Sequence, residues 1–154
     1  MFPDTTQIDS SGTLNIGGCN TLDLANEYGT PLYVLDEDTI RNRCRSFVQE
    51  FQKRAPDTQV VYASKAYINP VLVRMLAEEG LGLDVVSGGE LAVSVAGNLS
   101  PTQVYFHGNN KTPQELREAV QCGIGRIVVD SFHELRLLDE ISAELGKKQD
   151  ILIR

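Results

Sequence analysis

The sequence predicts an α/β protein in which a strand–helix unit repeats around a parallel sheet. Apolar, strand-like segments recur at nearly even spacing, beginning near residues 60, 83, 104, 127 and 151. Each of the first four segments is followed by a signal for the start of a helix. The strand segments are almost continuous apolar runs, which is typical of parallel strands that are covered on both faces. Repeated βα units of this kind place their strands in one parallel sheet.

The predicted helix starts carry explicit capping signals. Asn69 is a capping residue followed by Pro70 at the first helical position, and Ser87, Thr112 and Ser131 each begin a capping box of the S/T-x-x-E type. One such tetrapeptide is common by chance. Three of them, each at the expected distance after a strand, indicate real helix starts.

The first 30 residues differ from the rest of the chain. They are polar and punctuated by glycine, and they predict only a short strand at residues 13–16 and a short helix at residues 21–28. We therefore expect residues 1–30 to form an N-terminal arm. The apolar pattern begins after it, with a predicted strand at residues 32–35 and a predicted helix at residues 38–54.

Two folds are compatible with this repeated unit. A five-stranded doubly wound sheet would be complete at about this length, whereas a (β/α)8 barrel needs about 250 residues and would be interrupted near its middle. Residues 150–154 are a strand segment with no closing helix after it, which is how an interrupted barrel would look. An open sheet can also end on an edge strand, so the spacing alone leaves both folds open.

Composition excludes several functional classes. Fourteen basic and 21 acidic residues give a net charge of −7 without any basic cluster, so no nucleic-acid partner is expected. The three cysteines, Cys19, Cys44 and Cys122, lie far apart and predict reduced thiols in the cytoplasm, with neither a disulfide framework nor a metal site. No apolar stretch approaches about 18 residues, so we expect no signal peptide and no membrane span.

Polar side chains collect at the carboxyl ends of the predicted strands, where α/β folds keep their chemistry. They are Lys65, Asp84, His107, Asp130 and Arg154. Lys65 ends an apolar run and is a candidate Schiff-base nucleophile, although a strand-end lysine that reaches solvent is the simpler interpretation. An amine, carboxylates, an imidazole and a guanidinium on one rim are the groups that a lysine-bound carbonyl cofactor needs. For Asp130 two roles are equally compatible with the sequence, a part in this chemistry or assistance to the helix start at Ser131.

Other catalytic signatures are missing from the sequence. No GxGxxG follows a strand and no GxxxxGK[ST] occurs, so dinucleotide-binding and P-loop interpretations lack their phosphate-binding loops. GxSxG, HExxH and a Cys–His pairing are absent as well. Gly88 and Gly89 open a helix and could receive an anion there, but two glycines are a weak signal.

Three stretches of the sequence resemble a known enzyme family. Residues 62–66 (YASKA), 80–91 (GLGLDVVSGGEL) and 105–111 (YFHGNNK), followed in order by 129–131 (VDS) and 151–154 (ILIR), resemble the bacterial diaminopimelate decarboxylases. The resemblance extends over about residues 12–154, and the second and third stretches are specific to that family.

The resemblance implies a pyridoxal 5'-phosphate enzyme with an alanine-racemase-like barrel, which decarboxylates the amino acid meso-2,6-diaminopimelate to L-lysine. Residues 31–154 would then be the N-terminal half of a pyridoxal-phosphate-binding (β/α)8 barrel, with about four βα units plus a fifth strand. Lys65 would be the Schiff-base lysine, and Asp84, His107 and Arg154 would line the cofactor side of the barrel. The full-length protein would be a homodimer.

The same resemblance implies that the chain is the N-terminal piece of a longer enzyme. In that family the histidine that stacks on the pyridine ring, the phosphate-binding loop, the carboxylate at the ring nitrogen and the second domain all follow the point where this sequence stops. We therefore expect these 154 residues to be inactive alone. The alternatives are a decarboxylase of the same fold acting on ornithine or arginine, a non-catalytic pyridoxal-phosphate-binding module, or a complete doubly wound small-ligand domain.

Overall fold

The computed structural model describes residues 2–154. The chain begins with a small antiparallel sheet in the order β1-β2-β3, followed by two helices. These elements are β1 (Gln7–Ile8), β2 (Leu14–Ile16), β3 (Cys19–Asn20), α1 (Thr21–Tyr28) and α2 (Glu37–Gln52). The predicted short strand and short helix of the N-terminal arm are confirmed as β2 and α1. Asn20 caps α1 by accepting a hydrogen bond from the backbone N–H of Leu22.

The predicted strand at residues 32–35 is wrong. This segment has no regular secondary structure, and Tyr33 within it is 98% exposed. A strand is stabilised by its neighbours in a sheet, and both sheets of residues 2–154 form without this segment. The helix predicted after it is confirmed as α2. Cys44 of this helix is buried, while Phe47 and Phe51 remain more than half exposed.

The remaining residues alternate between parallel strands and helices, as predicted. The elements are β4 (Val61–Ala63), α3 (Pro70–Glu78), β5 (Gly82–Val85), α4 (Gly88–Ala96), β6 (Val104–Phe106), α5 (Pro113–Cys122), β7 (Arg126–Val129), α6 (Phe132–Leu145) and β8 (Ile151–Ile153). All four strand pairings between β4 and β8 are parallel. None of the helices in residues 2–154 is long and apolar enough to cross a membrane.

The strand order distinguishes between the two candidate folds. The sheet runs β4-β5-β6-β7-β8, in the same order as the sequence. A doubly wound sheet reverses its strand order at a switch point, whereas a (β/α)8 barrel adds each strand beside the previous one. The sheet is therefore a partial (β/α)8 barrel, with β4 and β8 as its edges within the described residues.

The two faces of the parallel sheet differ in character. One face packs on the helices and carries the apolar core, in which Leu83, Phe106 and Ile127 are fully buried. The alternate positions on the other face include Asp84 and Tyr105, which lie opposite each other on β5 and β6 and are only partly buried. In a (β/α)8 barrel this second face is the barrel interior.

The predicted capping residues are confirmed, but only one of the three capping boxes is complete. The three caps are Ser87, Thr112 and Ser131. In each, the side-chain oxygen accepts a hydrogen bond of 3.1–3.2 Å from the backbone N–H three residues later. Only Glu115 returns the hydrogen bond to its own cap. Glu90 instead accepts from the backbone N–H of Val86, and Glu134 forms an ion pair with Lys111.

Candidate functional site

Lys65 lies just beyond the end of β4. The sequence predicts it as the last residue of a strand, but the strand ends at Ala63 and Lys65 belongs to a short 3-10 turn, Ser64–Ala66. Its side chain is exposed, and within residues 2–154 its ammonium group has no hydrogen-bond or ion-pair partner. The turn therefore presents an unpaired primary amine at the carboxyl edge of the sheet.

Asp84 and His107 lie beside Lys65 because of the strand register. Asp84 pairs with Ala63 across β4 and β5, and the backbone N–H of His107 donates to the carbonyl of Val85 at 2.8 Å. His107 Nε2 lies 3.7 Å from Asp84 Oδ1, close enough for an ion pair when the imidazole is protonated but too long for a hydrogen bond. Asp84 Oδ1 is buried and has no hydrogen-bond partner among the described residues.

The pKa of Asp84 depends on both His107 and Lys65. Burial raises the pKa of the Asp84 carboxyl above its ordinary value, while the charges of His107 and Lys65 oppose that rise. The carboxylate thus occupies a partly desolvated position in which any added positive charge or hydrogen-bond donor would be favourable. A buried acceptor left without a partner costs free energy, and such costs concentrate at functional sites.

Arg154 lies at the same edge but at the other end of the sheet. Its backbone N–H donates to the carbonyl of Val129 at 3.0 Å, and its guanidinium is 3.1 Å from Asp130 Oδ1. Three strands lie between β4 and β8, so the Arg154–Asp130 pair lies apart from Lys65 along the sheet. The pairing of Asp130 with Arg154 was not predicted from the sequence. Their positions at the ends of neighbouring strands are the sequence signal from which this pair could have been predicted.

The start of α4 does not present a free anion site. The backbone N–H of Gly88 donates to Glu115 Oε1 at 2.8 Å, so a carboxylate of the protein itself occupies this helix terminus. Hydrogen bonds from the backbone N–H groups of Thr112 and Gly88 lower the pKa of Glu115. The weak signal of the two glycines therefore reflects a contact between α4 and α5.

Two further charged residues near this edge form a pair that was not predicted from the sequence. Lys111 and Glu134 form an ion pair of 2.7 Å, and their side chains are 1% and 7% exposed. A lysine in a GNNK turn and a glutamate in a capping box carry no sequence signal of burial. Only the packing of α6 against the turn before α5 brings them together.

An apolar cavity lies away from these residues. It has a volume of about 820 Å³ and lies between α2 and the β4 end of the sheet, where Phe47, Tyr62 and Leu76 contribute to its walls. Because Lys65, Asp84 and His107 do not line it, this cavity is separate from the candidate site.

The polar cluster fits a cofactor that carries an aldehyde and hydrogen-bond donors. An exposed amine without a partner can be linked covalently to a carbonyl group, and the unpartnered oxygen of Asp84 can accept a hydrogen bond. No group of three or more potential metal ligands occurs among the described residues.

Comparison with known proteins identifies a family for the region that contains the parallel sheet. Residues 37–154 match the family model described as the pyridoxal binding domain of the pyridoxal-dependent decarboxylases. The chain belongs to this family. The match includes every strand of the partial barrel and all of its candidate site residues.

Several curated relatives are named diaminopimelate decarboxylase. The chain is 47% identical over 153 residues to the diaminopimelate decarboxylase of Bacillus methanolicus, covering 99% of this chain and 35% of that protein. It is 46% identical over 154 residues to that of Mycobacterium tuberculosis H37Rv, covering 100% of this chain and 34% of that protein. The chain therefore spans about a third of the length of these curated relatives.

Solved structures of related decarboxylases share the fold. The diaminopimelate decarboxylase of M. jannaschii in co-complex with L-lysine superimposes with a TM-score of 0.89 at 34% identity, over 100% of this chain and 36% of that chain. The lysine/ornithine decarboxylase of Vibrio vulnificus in complex with putrescine gives a TM-score of 0.72 at 25% identity, over 87% of this chain and 35% of that chain.

Proposed function

We propose that this chain supplies the lysine-bearing part of the pyridoxal 5'-phosphate site of a diaminopimelate decarboxylase. The reaction is the decarboxylation of meso-2,6-diaminopimelate to L-lysine. The observation that carries the proposal is the unpaired amine of Lys65 beside the Asp84–His107 pair, in a chain 47% identical to a diaminopimelate decarboxylase. The L-lysine bound to the M. jannaschii relative is the product expected of this reaction.

Each side chain has a role that follows from its position. Lys65 Nζ is the covalent attachment point for the aldehyde of the cofactor. Asp84 holds a negative charge beside that amine, and His107, whose side chain is 40% exposed, presents its ring to the space in front of the sheet. Arg154 offers guanidinium donors whose orientation is held by Asp130. When bound, pyridoxal phosphate supplies an electron-withdrawing ring that accepts the electron pair left by carbon dioxide.

A trapping experiment tests the attachment point. The complete gene product is incubated with pyridoxal phosphate and treated with sodium borohydride, which makes the link between a lysine and the aldehyde permanent. Peptide mapping should then find the cofactor on Lys65, and Lys65→Met should abolish both the label and decarboxylation. Lys147→Met serves as the matched control and should leave both intact. Label recovered on another lysine would refute the assignment.

A substrate comparison separates the competing functions. Release of carbon dioxide is measured from meso-2,6-diaminopimelate, L-ornithine, L-arginine and L-lysine under the same conditions. Preference for meso-2,6-diaminopimelate supports the proposal. Preference for ornithine or lysine supports the second candidate, a decarboxylase similar to the lysine/ornithine enzyme of V. vulnificus. Cofactor binding without release from any substrate supports a non-catalytic module.

The proposal extends to assembly and location. We propose a homodimer, in keeping with the family resemblance, and a cytoplasmic enzyme, in keeping with three free cysteines. Light scattering coupled to gel filtration measures the first, and fractionation of the source cells measures the second.

A further inference from the structure

A buried ammonium group lies beneath the turn that carries His107. Lys111 Nζ donates to the backbone carbonyl of Gly108 at 2.6 Å and to that of Val128 at 2.9 Å, and it lies 2.7 Å from Glu134 Oε1. The contacts with Gly108 and Val128 are hydrogen bonds, and the contact with Glu134 is an ion pair. Its side chain is only 1% exposed, so water does not substitute for any of them.

The contacts join three separate parts of the site edge. Gly108 directly follows His107 and has a positive φ of 104°, a conformation that favours glycine. Val128 belongs to β7, two residues before Asp130, and Glu134 lies in the first turn of α6. A single side chain therefore fixes the turn after β6 against the end of β7 and the start of α6.

Packing alone does not account for a charged pair at this position. A buried ion pair costs desolvation free energy, and apolar residues of similar volume often stabilise a protein equally well. The Lys111 ammonium provides something that an apolar side chain cannot, namely directional hydrogen bonds to the carbonyl beside His107. The Glu134 carboxylate forms an ion pair with that ammonium and does not complete the capping box of α6.

We propose that Lys111 and Glu134 form a buried clamp that positions His107 against Asp84. The inference rests on the proposed function, because it assigns the clamp to the cofactor site. Lys111 and Glu134 are positioning residues, since they act through the turn at Gly108. Releasing the clamp is expected to let His107 move away from the 3.7 Å separation that the structure shows.

Titration of Asp84 tests the clamp without any cofactor. The carboxyl resonance of Asp84 is followed by ¹³C NMR in the wild-type protein, in Glu134→Gln and in the double variant Lys111→Met/Glu134→Met. The charge of His107 lowers the pKa of Asp84, so losing this neighbour should raise that pKa in both variants.

The two variants separate movement of His107 from a direct charge effect. Removing only the negative charge of Glu134 would by itself lower the pKa of Asp84, and the double variant changes no net charge. A rise in both variants therefore supports the clamp. A fall or no change in either overturns it. The double variant leaves no unpaired buried charge, so it provides the test if the single variant does not fold.

Cofactor affinity gives the second readout. The equilibrium dissociation constant for pyridoxal phosphate is measured by absorbance titration of the complete gene product. Misplacement of a site group by about 1 Å costs on the order of 100-fold in function, so we expect roughly 10- to 100-fold weaker binding in the double variant.

Lys147→Met is the matched control. Lys147 also donates to backbone carbonyls, those of Val120 and Gln121, but it does so at the opposite edge of the sheet. Its replacement should leave affinity unchanged. Unchanged affinity in the double variant overturns the clamp. Failure of the wild-type protein to bind the cofactor contradicts the proposed function instead, and the Asp84 titration still decides on the clamp.

Discussion

Glu115 links two helices at the carboxyl edge of the sheet, and its replacement should destabilise both of their starts. Its carboxylate accepts hydrogen bonds from the backbone N–H of Gly88 at 2.8 Å, the backbone N–H of Thr112 at 2.9 Å and the Thr112 hydroxyl at 2.8 Å. The first bond satisfies the start of α4, the second completes the capping box of α5, and the third ties the carboxylate to the capping side chain. Glu115→Ala removes all three.

The expected size follows from these contacts. A hydrogen bond to a charged group contributes about 1.5–3 kcal/mol, and a carboxylate at a helix N-terminus adds roughly 0.3–1 kcal/mol. Glu115 is only partly buried, so water replaces some of what is lost. We expect Glu115→Ala to lower the free energy of unfolding by about 2–3 kcal/mol. For a chain of this length, that loss corresponds to a decrease of roughly 4–12 °C in the unfolding midpoint.

The effect should also depend on pH. The pKa of Glu115 in the folded protein lies below its ordinary value of 4.5. Its contribution is therefore fully present above about pH 4.5 and is lost as the pH falls through the lowered pKa. Urea unfolding of the wild-type protein and Glu115→Gln across this range should show a difference that shrinks towards acid pH.

Glu118→Ala is the control for both experiments. Glu118 lies on the same helix, but its carboxylate accepts one hydrogen bond, from Gln114 Nε2. Its replacement should change the free energy of unfolding by no more than about 0.5 kcal/mol. Equal effects at Glu115 and Glu118, or a Glu115 difference that does not change with pH, would refute the reasoning.

Two further substitutions test the description of the sheet and the site. Asp84→Asn should raise the free energy of unfolding at neutral pH, because burial raises the pKa of Asp84 and so disfavours its charged form. That gain should vanish below the ordinary pKa of 3.8, and urea unfolding that shows no pH-dependent gain contradicts it. Gly125→Ala should cost about 1–3 kcal/mol in thermal unfolding, because its Cβ would lie 2.2 Å from the Thr102 carbonyl oxygen. Gly89→Ala, whose Cβ would meet nothing closer than 3.7 Å, is the control, and equal midpoints would contradict the steric argument.

The sequence predicted the elements of the parallel sheet well because their signals are local. Apolar runs and capping residues depend on a few neighbouring positions, and the caps at Asn69, Ser87, Thr112 and Ser131 all form as predicted. The strand order was not predictable from spacing, since a doubly wound sheet and a barrel use the same βα unit. The prediction of a strand at residues 32–35 was wrong for a related reason. Its apolar pattern could not reveal that the segment pairs with neither sheet.

The candidate site was predicted to a similar extent. The rule that parallel strands present their chemistry at their carboxyl ends placed Lys65, Asp84 and His107 at one edge, and the strand register places them there in the structure. The rule did not reveal how each group is partnered. Glu134 was expected to complete a capping box, but the buried ammonium of Lys111 at 2.7 Å is a stronger partner than a backbone N–H.

The charged groups at this edge of the sheet differ in their partners. The donors of Lys111 and the carboxylate of Glu115 are engaged by protein atoms. Lys65 has no partner, and Asp84 Oδ1 is buried without a hydrogen bond. Leaving such an atom unsatisfied costs free energy. An incoming group that donates to Asp84 and reacts with Lys65 would recover that cost. We therefore expect a ligand at the ends of β4 and β5, next to His107.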